Sequence, residues 1–226
     1  MRQEESKHWC TLLAKKLKEA FGETLYFLGL QGSYRRGEAT PDSDIDVVVV
    51  FTHINVKILS EYQAVLRTMP HWEKACGFVC GETELFHWPA YDMLQLFYDT
   101  QPVYGTLDAV KERITNESIA EAAVIGAANL YHAACHHRIF QSCPAQHLAA
   151  LYKEGMFLLR TYALYTTGIF ARTHKQLGEL LTGQAKQMYD QWSRQGEAAQ
   201  RSLEETDLQY QNIIKFCQNI LNDINY

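Results

Sequence analysis

The stretch LQGSYRRGEATPDSDIDVVVV, residues 30–50, constrains the fold more than any other part of the chain. Val47, Val48, Val49 and Val50 follow one another without a polar break, and such a run reads as a strand buried on both faces. Asp44 and Asp46 stand at its mouth. Carboxylates beside an apolar core are costly unless something positive neutralises them. The period of a strand is two, so both acids leave the same face. Gly32 and Ser33 close an earlier apolar run, TLYFLGLQG (24–32), where the chain must turn tightly. Glycine there lets anionic oxygens approach the main chain, and the serine hydroxyl adds a donor. Two carboxylates spaced this way suit Mg²⁺, which is completed by water and substrate phosphates. Ions so held serve an in-line displacement at phosphorus.

The segments around this stretch alternate in type. Trp9, Leu12, Leu13, Leu17, Ala20 and Phe21 recur at helical spacing and stop at Gly22. Strands are expected over 24–32 and 44–51, a helix over 56–68 ended by Pro70, and a strand over ACGFVCG (75–81). GETELFHW reads as a short helical turn or loop, and DMLQLFYDT (92–100) as a fourth strand closed by Pro102. From residue 106 the pattern is helical throughout, with apolar stripes over 117–140, 146–168 (Gly168 as the stop), 174–195 and 203–222. The expectation is an α+β chain: a small mixed-sheet domain over 1–105, then an antiparallel helical bundle over 106–226.

A net charge of -5 disfavours nucleic acid as a partner, because non-specific binding to it needs clustered Lys and Arg. No apolar run approaches a membrane span, and the opening MRQEESKHWC has no apolar core of a signal peptide. The 6 cysteines lack framework spacing, so reduced thiols and a cytoplasmic location are expected.

Gly32-Ser33, residues 34–43, then Asp44-Ile45-Asp46, with RRGE inside the loop and SDID running into a valine strand, resembles the signature of the DNA polymerase β-like nucleotidyltransferase superfamily. The resemblance implies that Asp44 and Asp46 hold Mg²⁺ and act in catalysis. It implies that Gly32, Ser33, Ser43 and an arginine of the loop, Arg35 or Arg36, contact the phosphates of a nucleoside triphosphate such as ATP. The superfamily usually draws a third carboxylate from a following strand. The expected strand 75–80 carries none, and Glu84 or Glu82 just beyond it is the candidate metal ligand, with Asp92 further on.

The Ala-rich segment ending in His136-His137-Arg138-Ile139, together with PVYGTL after the fourth expected strand, is similar to kanamycin-type aminoglycoside nucleotidyltransferases. That likeness implies a catalytic domain followed by a substrate-binding bundle, a homodimer, and a small-molecule hydroxyl acceptor of aminoglycoside or lincosamide type. In that family a bundle glutamate serves as general base. Here His132 falls near its position, and a neutral imidazole is able to do the same work. His132 and His136 are spaced i, i+4, too few ligands for a zinc site. The resemblance leaves two further readings open: a nucleotide-binding module with weakened catalysis, and a protein-AMPylating antitoxin-type enzyme.

Overall fold

The computed structural model describes residues 3–142, 144–193 and 202–224. The chain divides into two compact units, Met1–Ile114 and Thr115–Tyr226.

The first unit is built on a four-stranded sheet of order β3-β2-β1-β4. Its strands are β1 (Leu25–Leu30), β2 (Ile45–Phe51), β3 (Ala75–Gly81) and β4 (Gln101–Tyr104). β2 runs antiparallel to β1 and parallel to β3, and β4 pairs with the outer side of β1. The helices of this unit are α1 (Gln3–Phe21), α2 (Gly32–Arg36), α3 (Val56–Leu66), α4 (Glu82–His87), α5 (Ala90–Tyr98) and α6 (Asp108–Lys111). The valine run sits in the centre of the sheet and is buried on both faces. Ile45, Val47, Val49 and Phe51 meet Leu13, Leu17, Ile58 and Tyr62 of α1 and α3. Val48 and Val50 meet Leu85, Met93, Leu96 and Val110 of α4, α5 and α6. An alternating strand would cover only one of these layers; an unbroken one covers both.

Two expected elements are corrected. The strand expected over 92–100 is the helix α5, and the fourth strand is Gln101–Tyr104, which contains Pro102 instead of ending before it. Met93 and Leu94 are adjacent and both buried, which a half-buried strand does not allow. Between Asp92 and Asp99 there is no β-branched residue, and Met, Leu and Gln favour helix. Pro102 is tolerated because β4 is an edge strand. The first unit also runs on past residue 105 to Ile114, since Leu107 and Val110 pack into its second core layer.

The second unit contains α7 (Asn116–Phe140), α8 (Pro144–Thr167), α9 (His174–Leu180), α10 (Gly183–Ser193) and α11 (Leu203–Asp223). The stripe expected as one helix over 174–195 is two helices, broken at Leu181-Thr182 with Gly183 at φ +55°; residues 194 and 195 lie outside the described residues. α7 presents Ala120, Ala123, Ala127 and Ala134 with Leu130 to the core, where Leu151, Leu159, Ile213 and Phe216 fill the space that small side chains leave. Capping boxes at Thr115/Ser118, Thr173/Gln176 and Ser202/Glu205 fix three helix starts. Among the described residues no helix is long and apolar enough to cross a membrane. Cys10, Cys76, Cys80, Cys135 and Cys217 are free thiols, and Cys143 lies outside the described residues. Burial pushes the Cys10 and Cys217 thiols up to about 12, so both remain protonated at neutral pH.

At the end of α7, the His137 ring meets that of His147 at a tilt, with centroids 4.8 Å apart, and that of His136 edge-on at 5.9 Å. Burial first, and then the neighbouring imidazoles His147 and His136, lower the pKa of His137, with Glu154 pulling the other way. A depressed imidazole value means that the unfolded chain binds this proton more readily than the folded one. The contribution to stability is therefore complete above the ordinary imidazole value of ~6.5 and disappears as pH falls through the folded value. His137→Gln is expected to flatten the fall of melting temperature on acidification below about pH 6.5. Thermal melts of both proteins across that range check it, and parallel curves contradict it.

Candidate active site

β1 and β2 lie side by side, so the turn leaving β1 falls beside the residues entering β2. Gln31 N donates to Asp46 O at 2.8 Å, which locks that turn to the start of β2. Gly32 follows at φ +72°, a conformation that L side chains rarely adopt. A Cβ built there collides with the Asp46 carboxylate, with Cγ only 2.8 Å away. Glycine is therefore required twice at this position, by backbone and by space. Gly32 opens the short helix α2 with Ser33 as its second residue, and the helix end is closed by Glu38 N donating to Ser33 O at 2.9 Å.

Asp46 is half-buried on β2, on the face shared with Val48 and Val50. Asp44 precedes the strand and is exposed. The turn between α2 and β2 is closed by Ser43. Its Oγ accepts from Thr40 N at 2.9 Å and pairs with Thr40 Oγ1 at 3.3 Å. Pro41 and Asp42 occupy the corner of that turn, and Ser43 shapes the loop.

Arg36 has protein partners. Its Nε donates to Glu38 Oε2 at 2.9 Å and its Nη1 to Asp99 Oδ2, and the side chains of Arg36 and Asp99 are only 11% and 7% exposed. The pair ties the loop after β1 to the corner between α5 and β4. Arg35, its neighbour on α2, is half-buried. Asp99 was hidden in the sequence, because reading 92–100 as a strand gave no reason for an acid at its end to turn inward.

The parallel register between β2 and β3 decides the third corner. Asp46 lies opposite Cys76, and Phe51 lies opposite Gly81. Glu82 and Glu84 follow Gly81, which is itself five positions beyond Cys76, about 17 Å along the sheet at ~3.3 Å per residue. Glu84, the acid expected to complete the metal site, thus lies away from Asp46 along the sheet. Its carboxylate rests against Gly81 at the far end of β3, where it helps burial raise the Cys80 thiol. Asp92, the other acid considered, lies on α5, where Trp88 Nε1 donates to its Oδ2 at 3.3 Å. The residue in register with Asp46 is Cys76, an exposed thiol. β3 is drawn close there: Gly77, at φ +138°, has Val47 N 2.7 Å from where its Cβ would be. Among the described residues no group of three His, Cys, Asp or Glu side chains has the geometry to hold a metal ion. The donors present are two hard carboxylates beside a glycine turn. That set fits Mg²⁺ when a substrate's phosphates and water supply the remaining ligands.

His132 belongs to the second unit, on an exposed face of α7 with its ring 6.1 Å from that of His136.

Residues 10–73 match the model of the nucleotidyltransferase domain. No curated protein matches the chain. Among solved structures, the spectinomycin adenyltransferase AAD(9) from Enterococcus faecialis, crystallised with ATP and spectinomycin, shares the fold over 97% of this chain and 99% of its own, with a TM-score of 0.55 at 13% identity. A mutant of the toxin-antitoxin MntA-HpeT aligns over 49% of this chain and 82% of its own, with a TM-score of 0.33 at 20% identity. A nucleotidyltransferase-like protein from Exiguobacterium sibiricum 255-15 aligns over 94% and 74%, with a TM-score of 0.39 at 9% identity. The resemblance read from Gly32-Ser33 and Asp44-Ile45-Asp46 is borne out.

Arg36→Met is expected to cost about 3–5 kcal/mol of unfolding free energy, the scale for removing one partner of a buried ion pair. Chemical denaturation measures it, and a loss below about 1 kcal/mol is the value of a surface pair and contradicts the role given to Arg36.

Proposed function

We propose that this chain, a nucleotidyltransferase by the domain at residues 10–73, transfers a nucleoside monophosphate from a Mg²⁺–nucleoside triphosphate, with ATP as the donor, to a hydroxyl of a small molecule. The observation that carries the reading is the packing of Gly32 on Asp46: an open backbone turn held against a carboxylate, with Asp44 two residues upstream.

When bound, Mg²⁺ offsets the charge of the triphosphate and of the departing pyrophosphate. The chain's own residues do the rest. Asp44 and Asp46 would hold the metal, and Gly32 and Ser33 would receive the outer phosphates through the main chain and the serine hydroxyl. The acceptor hydroxyl oxygen bonds to the α-phosphorus as the bond to pyrophosphate breaks. The hydroxyl proton passes to a base, for which we propose His132, an exposed imidazole on α7. Arg36 holds the loop through Glu38 and Asp99, and Arg35, its neighbour on α2, is the arginine we assign to the phosphates. AAD(9) was crystallised with ATP and spectinomycin, so an aminoglycoside-like or lincosamide-like antibiotic is the acceptor class to assay first. The bundle is proposed as the acceptor-binding part, and a homodimer as the working assembly.

Cys76 in register with Asp46 favours one other reading, a nucleotide-binding module of weakened catalysis. A thiol is a poor ligand for a hard cation, so a site with this corner holds Mg²⁺ by two acids alone.

Incubation with ATP, Mg²⁺ and a panel of hydroxyl-bearing antibiotics, read as pyrophosphate release, is expected to show turnover. Asp44→Asn and Asp46→Asn should each lower it on the order of 10²–10³-fold, the loss seen when a group that stabilises developing charge is removed. Turnover that survives both substitutions contradicts the ligand assignment, and no release with any acceptor favours the second reading.

A further inference from the structure

Within the second unit, α7 and α8 leave between them an open groove of about 340 Å³. That volume falls within the range of small-ligand sites, about 300–1,000 Å³. The two helices run antiparallel: His137 meets His147 at one end, and a Cβ built at Gly126 would meet Leu158 Cδ1 at 3.3 Å further along. Glycine inside a helix costs about 1 kcal/mol relative to alanine. At position 126 it keeps the floor of the groove clear. Leu158 beneath is buried, while Asn129, Glu154 and Phe157 are exposed and Gly126 and Thr161 half-buried, so a guest reaches all five.

The lining is polar at its ends and apolar between them. Glu154 is the one charged residue that lines the groove, and its carboxylate has no ion-pair or hydrogen-bond partner among the described residues. The antiparallel register places Asn129 of α7 at the same end. Gly126, Phe157 and Leu158 form the middle. Thr161 stands two turns from Glu154, about 10 Å along α8. Its Oγ1 donates to Phe157 O at 3.2 Å, which leaves the hydroxyl oxygen free to accept from a guest.

We propose that this groove holds the acceptor, and that the acceptor is a saturated-ring compound bearing a protonated amine. The inference rests on the small-molecule transfer proposed above and assigns the residues that select its substrate. The ammonium meets Glu154 and the Asn129 side-chain oxygen, a ring face lies against Phe157 over Gly126, and a hydroxyl donates to Thr161. With a carboxylate and no lining base, the groove disfavours phosphorylated or acidic acceptors. His132 follows Asn129 at i, i+3 on α7, so the charged end of the groove lies next to the base proposed for the transfer.

The test is calorimetric titration of the full chain with neamine, two linked amine-bearing saturated rings, at pH 7.5 without nucleotide. Saturable binding with Kd below about 1 mM is expected. Glu154→Gln should weaken it fivefold or more, the value of one hydrogen bond to a charged group, and Phe157→Ala about threefold. Glu61→Gln, at an exposed carboxylate of the first unit, should leave it unchanged. Absence of saturable binding, equal affinity in Glu154→Gln, or an equal loss in Glu61→Gln overturns the proposal. Pyrophosphate release with an antibiotic acceptor that is untouched by Glu154→Gln also overturns the groove while leaving nucleotidyl transfer standing. Binding with the expected losses but without pyrophosphate release supports the groove and counts against the transfer reading alone.

Discussion

The structure of the site depends on one close contact, Gly32 packed against the carboxylate of Asp46. Because Gln31 N is bonded to Asp46 O, the turn after β1 and the entry to β2 cannot move apart. Because residue 32 has no side chain, the acid can sit directly beside the turn. The central position of β2 makes this contact rigid: Val47 through Val50 are sealed between two core layers, one from α1 and α3 and one from α4, α5 and α6. An acid at the end of such a strand keeps its place when a multiply charged ligand arrives, and rigid support of this kind is what a transferring site needs.

Around that contact the charges are sorted by role. Arg36 spends its guanidinium on Glu38 and Asp99, so its charge serves the shape of the loop. Ser43 closes the turn at Thr40. Opposite Asp46 in the sheet stands Cys76, Glu73 precedes the near end of that strand, and Glu82 and Glu84 follow its other end. The site is thus built from two acids and a glycine turn. A substrate that brings its own oxygen ligands to a metal suits it better than a preformed cage does.

Much of this was legible in the sequence, for identifiable reasons. The valine run announced a doubly buried strand, and Gly32-Ser33 and Asp44-Ile45-Asp46 kept the spacing of the nucleotidyltransferase signature. What was not legible depended on pairing partners far away in the chain. Residues 92–100 were too short for periodicity to separate helix from strand, and with that segment misread, the inward turn of Asp99 toward Arg36 had no visible cause. Glu84 seemed near enough because its distance was judged along the chain. The parallel register of β2 and β3, which no local pattern states, sends it to the far end of the sheet. The break at Leu181-Thr182 was equally hidden, since apolar spacing continues across it while Gly183 turns the backbone.

The most direct test of the account is a calorimetric titration of Mg²⁺–ATP into the protein and into its Asp46→Asn variant. Saturable binding by the parent that is lost or weakened at least tenfold in the variant is the predicted result. Equal affinity in both proteins would contradict a nucleotide site built on Gly32 and Asp46.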